Sequence, residues 1–141
     1  EVVEFFDAWL AEAQLRVEVI GSAGAHCTPT LFRRAVSNLL SNAIKYTPKG
    51  GTISILLDEV DGFARVSVSN PGLRVNEEVR RRMFDRFFRA DPARDRVGES
   101  HGLGLAIVRA IAQMHSGHVF AQDTADGIRI GISIRRSQPL G

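Results

Sequence analysis

Two carboxamides and an ammonium group recur along one stretch of the chain, Asn38-Leu39-Leu40-Ser41-Asn42-Ala43-Ile44-Lys45-Tyr46-Thr47-Pro48-Lys49-Gly50-Gly51. The stretch reads as a helix that Pro48 and the Gly50-Gly51 pair bring to an end. Successive helical residues turn by about 100°, so Asn38, Asn42 and Lys45 fall within an arc of roughly 60°. Leu31, Ala35, Leu39, Leu40, Ala43 and Ile44 supply the apolar part of the same helix. Neutral oxygen donors one turn apart, with a cation beyond them, suit a bound metal–phosphate. The bland alternative is a solvated face that happens to contain Asn.

Three further segments could do chemistry. In Gly102-Leu103-Gly104-Leu105, small residues let the backbone approach a ligand closely. Unpaired N–H groups and the dipole at the start of the following helix favour anionic phosphate. Packing alone can also explain a glycine pair before a helix. Asn70-Pro71-Gly72 ends an apolar strand, where an acceptor can receive an exocyclic amine such as that of adenine. It is also good chemistry for a plain turn. In Phe84-Asp85-Arg86-Phe87-Phe88-Arg89 the aromatics can anchor a lid to the core, and Arg86 or Arg89 can reach phosphate oxygens with a guanidinium fork. A helix end packing its Phe residues is compatible with that reading.

The elements that must position these groups follow from periodicity. Val2, Phe5, Phe6, Trp9 and Ala13 recur at helical spacing, and Arg16-Val17-Glu18-Val19 alternates as a short strand. Thr28 offers an N-cap oxygen and Pro29 sits at the first position of the long helix, which runs to about Tyr46. Ile53, Ile55 and Leu57 alternate as a strand, Asp61-Gly62 is a hairpin turn, and Ala64, Val66 and Val68 line the returning strand. Asn76 can cap a short helix with Glu77 and Glu78 in its first turn. From about Arg89 to Gly104 no clear period appears, as in a lid or binding loop. A helix from Gly104 turns Leu105, Val108, Ile111 and Ala112 inward and stops at Gly117. Val119-Phe120-Ala121 and the alternating Ile128, Ile130, Ile132 and Ile134 are two more strands. This order predicts a two-layer α/β sandwich, with helices on one face of a mixed, mostly antiparallel sheet. The other face, bearing Ser54, Arg65, Ser67, Arg129 and Ser133, is expected to be partly exposed.

The totals exclude several classes. The 141 residues suit one domain with a real core. A net charge of +2 without a block of like charges argues against a nucleic-acid partner. The run Arg80-Arg81-Arg82, beside Glu77, Glu78 and Asp85, reads as a solvated face. One cysteine, Cys27, allows no internal disulfide, and its neighbour His26 is poorly spaced to share a metal with it. No apolar run approaches the ~20 residues a membrane span needs, so this domain is expected to make no membrane contact. The chain opens within a helical pattern and without Met, as a piece of a longer protein would.

Taken together the motifs resemble the catalytic and ATP-binding domain of bacterial sensor histidine kinases, in the wider ATPase superfamily shared with type II topoisomerases, Hsp90 chaperones and MutL repair proteins. Asn38 to Pro48 is similar to the asparagine box, Asn70-Pro71-Gly72 to the first glycine box, Phe84-Asp85-Arg86-Phe87 to the phenylalanine box, and Gly102-Leu103-Gly104-Leu105 to the second glycine box. They stand in the family's order and spacing across almost the whole chain. The resemblance implies a Bergerat-type sandwich with an ATP lid at roughly 73–104. It implies Asn42 as the Mg²⁺ ligand, Lys45 as a phosphate contact and Tyr46 beside the purine. Asn70 stands where the family usually reads the adenine amine with Asp, and Gly102 and Gly104 resemble the lid's hinges. Arg74 and Ser100 replace usual glycines, and Ile128 follows Gly127 where Thr is common. The Asn-Pro-Gly variant with Phe84 to Arg94 looks most like the heavy-metal sensor branch.

Hydrolytic relatives place a Glu at the position of Asn38, and an amide cannot serve as a general base. The site is therefore expected to hold ATP for transfer rather than hydrolysis. None of His26, His101, His115 and His118 lies in a phosphoacceptor context, so the acceptor is expected on a separate dimerisation domain. The implied whole protein is a homodimeric inner-membrane sensor with this domain in the cytoplasm and a response regulator as partner. A nucleotide sensor without transfer, an anti-sigma-factor-type serine kinase and a chaperone or repair ATPase are the rival readings.

Overall fold

The computed structural model describes residues 6–21, 29–72, 75–85 and 104–135. In chain order these form α1 (Asp7–Ala13), β1 (Arg16–Gly21), α2 (Pro29–Tyr46), β2 (Thr52–Val60), β3 (Phe63–Pro71), α3 (Glu77–Arg82), α4 (Gly104–Met114), β4 (His118–Asp123) and β5 (Gly127–Arg135). The strands make one five-stranded sheet in the order β1-β2-β3-β5-β4. β1 and β2 pair in parallel, with α2 between them in sequence. The other three pairings are antiparallel. The sandwich expected from the element order is the one observed.

Alternation decides which side of the sheet meets the helices. Ile53, Ile55, Val66, Val68, Ile128, Ile130, Ile132 and Ile134 all point to one face and are buried. They join Ala35, Val36, Leu39, Leu40, Ala43 and Ile44 of α2, and Val108, Ile111 and Ala112 of α4, in a single apolar cluster. Truncating a core leucine such as Leu39 to Ala would cost about 2–5 kcal/mol. The turns hold the layers in register. Asp61 and Gly62 both have positive φ, 53° and 82°, as a two-residue hairpin with the strands' own twist requires. At the end of α4 the Gly117 amide donates to the Ala112 carbonyl at 2.8 Å. A Cβ on Gly117 would collide with the Ser133 carbonyl, so the helix can return to the sheet only through glycine.

Two expectations need correction. Trp9 does not join the buried face of α1: it is 44% exposed, while Phe6 and Leu10 enter the core. Ser67 and Ser133 do point away from the helices, yet they are buried, Ser67 completely. The reason is a lid of side chains on the outer face of the sheet. A Cβ on Gly131 would lie 2.6 Å from Phe120 Cζ and 2.5 Å from Ser67 Cβ, so the missing side chain makes room for the Phe120 ring. The guanidinium groups of Arg65 and Arg129 lie 5.3 Å and 5.4 Å from that ring's centroid, within cation–π range. Arg65 donates to both oxygens of Asp58, at 2.9 Å and 2.7 Å. Arg129 donates to Ser67 Oγ at 2.6 Å and stands 3.6 Å from Asp58. The hydrogen bonds from Arg65 hold the Asp58 carboxyl below its ordinary range, and those bonds raise Arg65 in turn. Burial pushes the Arg129 guanidinium down, with the neighbouring Arg65 charge acting in the same direction. Small polar residues on a strand look solvated in sequence, and here long side chains roof them over.

Candidate functional site

The asparagine face of α2 stays partly open because the rest of that helix is committed to the core. Leu39, Leu40 and Ala43 are buried, which turns Asn38, Asn42, Lys45 and Tyr46 to the boundary, where each is half-buried. The geometric arc expected from helical spacing is therefore realised. Asn38 Nδ2 donates to the Gly104 carbonyl at 3.3 Å, across 66 residues of sequence. Lys45 Nζ sits 5.4 Å from the Tyr46 ring centroid. Among the described residues, none hydrogen-bonds the Asn42 side chain.

The end of β3 closes on the end of α2. Gly72 has φ +94°, and a Cβ there would lie 2.7 Å from Pro48 Cδ and 2.8 Å from Pro48 Cγ. Both the backbone conformation and the contact exclude a side chain. The Gly72 amide donates to the Asp126 carbonyl at 2.9 Å, tying the strand end to the β4–β5 turn. Asn70 is 2% exposed and lies opposite Ile128. Its Nδ2 donates to the Pro71 carbonyl at 3.3 Å, which turns Oδ1 the other way, as an acceptor role needs.

α4 completes the arrangement. Its first residue, Gly104, has no described atom within 4 Å of where a Cβ would stand. The described packing therefore does not demand glycine there. Leu105 packs against the core and Phe84 is buried in it, as expected of anchors. Asn76 caps α3 by accepting from the Val79 amide at 2.8 Å. Arg86, Phe87, Arg89, Gly102 and Leu103, with Arg74, Ser100 and His101, lie outside the described residues, as do His26 and Cys27.

The structure thus brings Asn38 to Gly104 and the Tyr46 carbonyl near Gly72, with Asn42 and Lys45 further along the same face of α2. The sum is electropositive: Lys45 adds its charge to the partial positive charge of a helix N-terminus. Among the described residues no group of three or more His, Cys, Asp or Glu could hold a metal ion. A carboxamide such as Asn42 fits a hard cation that takes most of its oxygens from water and a ligand's phosphates. Two ion pairs that frame the site escaped the sequence reading. Arg80 meets Asp123 at 2.7 Å and Arg109 meets Asp85 at 3.2 Å. Their members stand 43 and 24 residues apart, so no local spacing signals them.

Comparison with known proteins adds an independent line. The family described as Histidine kinase-, DNA gyrase B-, and HSP90-like ATPase matches residues 27–138. Sensor histidine kinase CusS of Escherichia coli (strain K12) is 44% identical over 138 residues, 95% of this chain and 29% of that protein. Probable sensor kinase SilS of Salmonella typhimurium is 43% identical over 112 residues, 79% of this chain and 22% of that protein. Sensor protein CzcS of Cupriavidus metallidurans is 33% identical over 123 residues, 87% of this chain and 26% of that protein. The chain spans less than a third of the length of these relatives. Among solved structures, the catalytic domain of histidine kinase ThkA superposes with a TM-score of 0.81 at 24% identity, covering 98% of this chain and 90% of that one. The mycobacterial sensor histidine kinase MprB gives 0.78 at 28% identity, covering 94% and 90%. No described helix is long and apolar enough to cross a membrane.

Proposed function

Because this chain belongs to the Histidine kinase-, DNA gyrase B-, and HSP90-like ATPase family, we propose that it binds Mg-ATP and donates the γ-phosphate to a histidine on a separate dimerisation and phosphoacceptor domain. The observation that supports this reading most is the Asn38–Gly104 contact. It sets the first carboxamide of the α2 face, which Asn42 and Lys45 continue, against the first residue of α4, and that combination suits a polyphosphate.

Each residue then has a task. Asn42 would hold the Mg²⁺, which when bound neutralises charge on the phosphate oxygens. Lys45 contacts phosphate, Tyr46 lies beside the purine, and Asn70 accepts from the adenine amine with Gly72 keeping the backbone close. Phe84 anchors the adjoining segment. Arg86 or Arg89, with Phe87, Gly102, Leu103, Gly104 and Leu105, would complete the nucleotide's surroundings in a lid over roughly 73–104. Transfer breaks the bond from the γ-phosphorus to the β–γ bridging oxygen and forms a phosphorus–nitrogen bond to the acceptor imidazole, with ADP leaving. No carboxylate stands at Asn38 to activate water, so catalysis is positioning and charge neutralisation. The whole protein would be a homodimeric, membrane-bound sensor of the heavy-metal branch that passes its phosphoryl group to a response regulator.

The test supplies the chain with ATP and a separately made helical domain bearing the acceptor histidine. The expected product is acid-labile phosphohistidine on that domain. Nucleotide binding without any transfer, or an acid-stable phosphoserine product, would overturn the kinase reading.

A further inference from the structure

Asp85 stands at a joint between two helices. It follows Phe84, which is buried in the core, just beyond the end of α3. Its Oδ1 lies 3.2 Å from Arg109 Nη1 of α4, and its Oδ2 lies 3.9 Å from Arg82 Nε of α3. One carboxylate is thus shared between cations from two helices. α3 has a second tie on its other side: Arg80 Nη1 meets Asp123 Oδ2 at the end of β4 and donates to the Val75 carbonyl at 3.3 Å. α4 has a second tie too, at Gly104, where Asn38 of α2 holds its first carbonyl. Five residues separate Gly104 from Arg109, about 7.5 Å along the helix axis. α4 is therefore gripped by polar contacts at its first residue and again one and a half turns on.

We propose that Arg109 is a positioning residue: through Asp85 it fixes the N-terminal turn of α4 against the Phe84 joint, and so sets where that turn meets nucleotide phosphate. The inference rests on the nucleotide reading given above. Arg109 itself touches no reacting atom. Its effect is transmitted through α4, whose backbone N–H groups gain from aiming at the phosphates only when the helix end is held still. The two side chains are 39% and 47% exposed, so the coupling is that of a surface ion pair, about two- to five-fold in an equilibrium constant.

The test compares wild type, Arg109→Ala, Asp85→Ala, the double variant and the exchanged pair Arg109→Asp with Asp85→Arg. Two quantities are read: affinity for a fluorescent ATP analogue with Mg²⁺, and amide hydrogen exchange of residues 105–107 without nucleotide. Each single variant should weaken binding about two- to five-fold and speed exchange at the start of α4. The double variant should be no worse than either single one, and the exchanged pair should recover part of both losses. Unchanged exchange in the single variants, fully additive losses, or no recovery on exchange would each overturn the proposal. Because exchange is measured without nucleotide, wild type failing to bind the analogue would count against the function while the Arg109 result still stands or falls by itself.

Discussion

The two faces of the sheet treat polar groups in opposite ways. On the outer face Arg65, Asp58, Arg129 and Ser67 bond and pair chiefly with one another, although the buried Arg129 Nη2, 3.6 Å from Asp58, makes no hydrogen bond among the described residues, and Phe120 closes over Gly131. On the helix side, at the edge made by α2, α4 and the end of β3, Asn42 engages no described partner and no described atom lies within 4 Å of where a Cβ on Gly104 would stand. A cluster whose members turn chiefly to one another supports the fold. The α2 edge, with Asn38, Asn42 and Lys45 half-buried, is where the proposed ligand would bind. The difference separates residues that hold this protein together from the residues proposed to meet nucleotide.

The sharpest way to break that distinction is at Asn42. Asn42→Ala should weaken Mg-dependent binding of an ATP analogue about ten- to hundred-fold, the range for a bond to a charged group, while the melting temperature hardly moves. Binding like wild type would return Asn42 to the solvated surface. Next come two glycines that predict opposite outcomes. Gly131→Ala must push on Phe120 and Ser67 and should cost about 1–3 kcal/mol of stability, as overpacking does, with nucleotide affinity unchanged. Gly104→Ala should leave stability equal or raise it by up to about 1 kcal/mol, yet weaken nucleotide binding. Thermal melts beside binding titrations check both, and the same sign at both sites would erase the comparison.

The placement of several candidate residues was legible because helix and strand periods place side chains by counting. Asn38, Asn42 and Lys45 share a face in sequence and in structure, and the Asp61-Gly62 turn fixes the β2–β3 register that sets Ser54 opposite Ser69. Burial of Ser67 was not legible, because it depends on Phe120 from another strand crossing Gly131. The Arg80–Asp123 and Arg109–Asp85 pairs were missed for the same reason: each joins elements distant in the chain. Trp9 has the right spacing for a core position, but among the described residues Phe6 and Leu10 take the buried places beside it and Trp9 is left at the surface.

Smaller effects refine the outer face. Asp58 is held below its ordinary value of about 3.9, chiefly by Arg65. As pH falls, the unfolded chain takes up that proton first, so the stabilisation is full above about pH 5 and is lost through pH 4 and below. Asp58→Asn should remove this part of the acid slope, about 1 kcal/mol for so exposed a pair, in melts between pH 3 and 7. An unaltered slope would show that the ion pairs over the sheet contribute nothing. Smallest is Asn70→Asp. A carboxylate accepts more strongly than an amide, but it loses the bond to Pro71 and buries a charge. Adenine affinity should stay within a few-fold of wild type, at some loss of stability, and an abolished site would mean that Asn70 donates to its ligand.

The most direct measurement is a backbone and side-chain NMR titration with Mg²⁺ and a non-hydrolysable ATP analogue. Saturable shifts at Asn38, Asn42, Lys45, Asn70, Gly72 and Gly104, with Ser67, Phe120, Gly131 and Ser133 still, are the predicted result. Shifts confined to the outer face, or none along α2, would contradict the assignment of that edge to nucleotide.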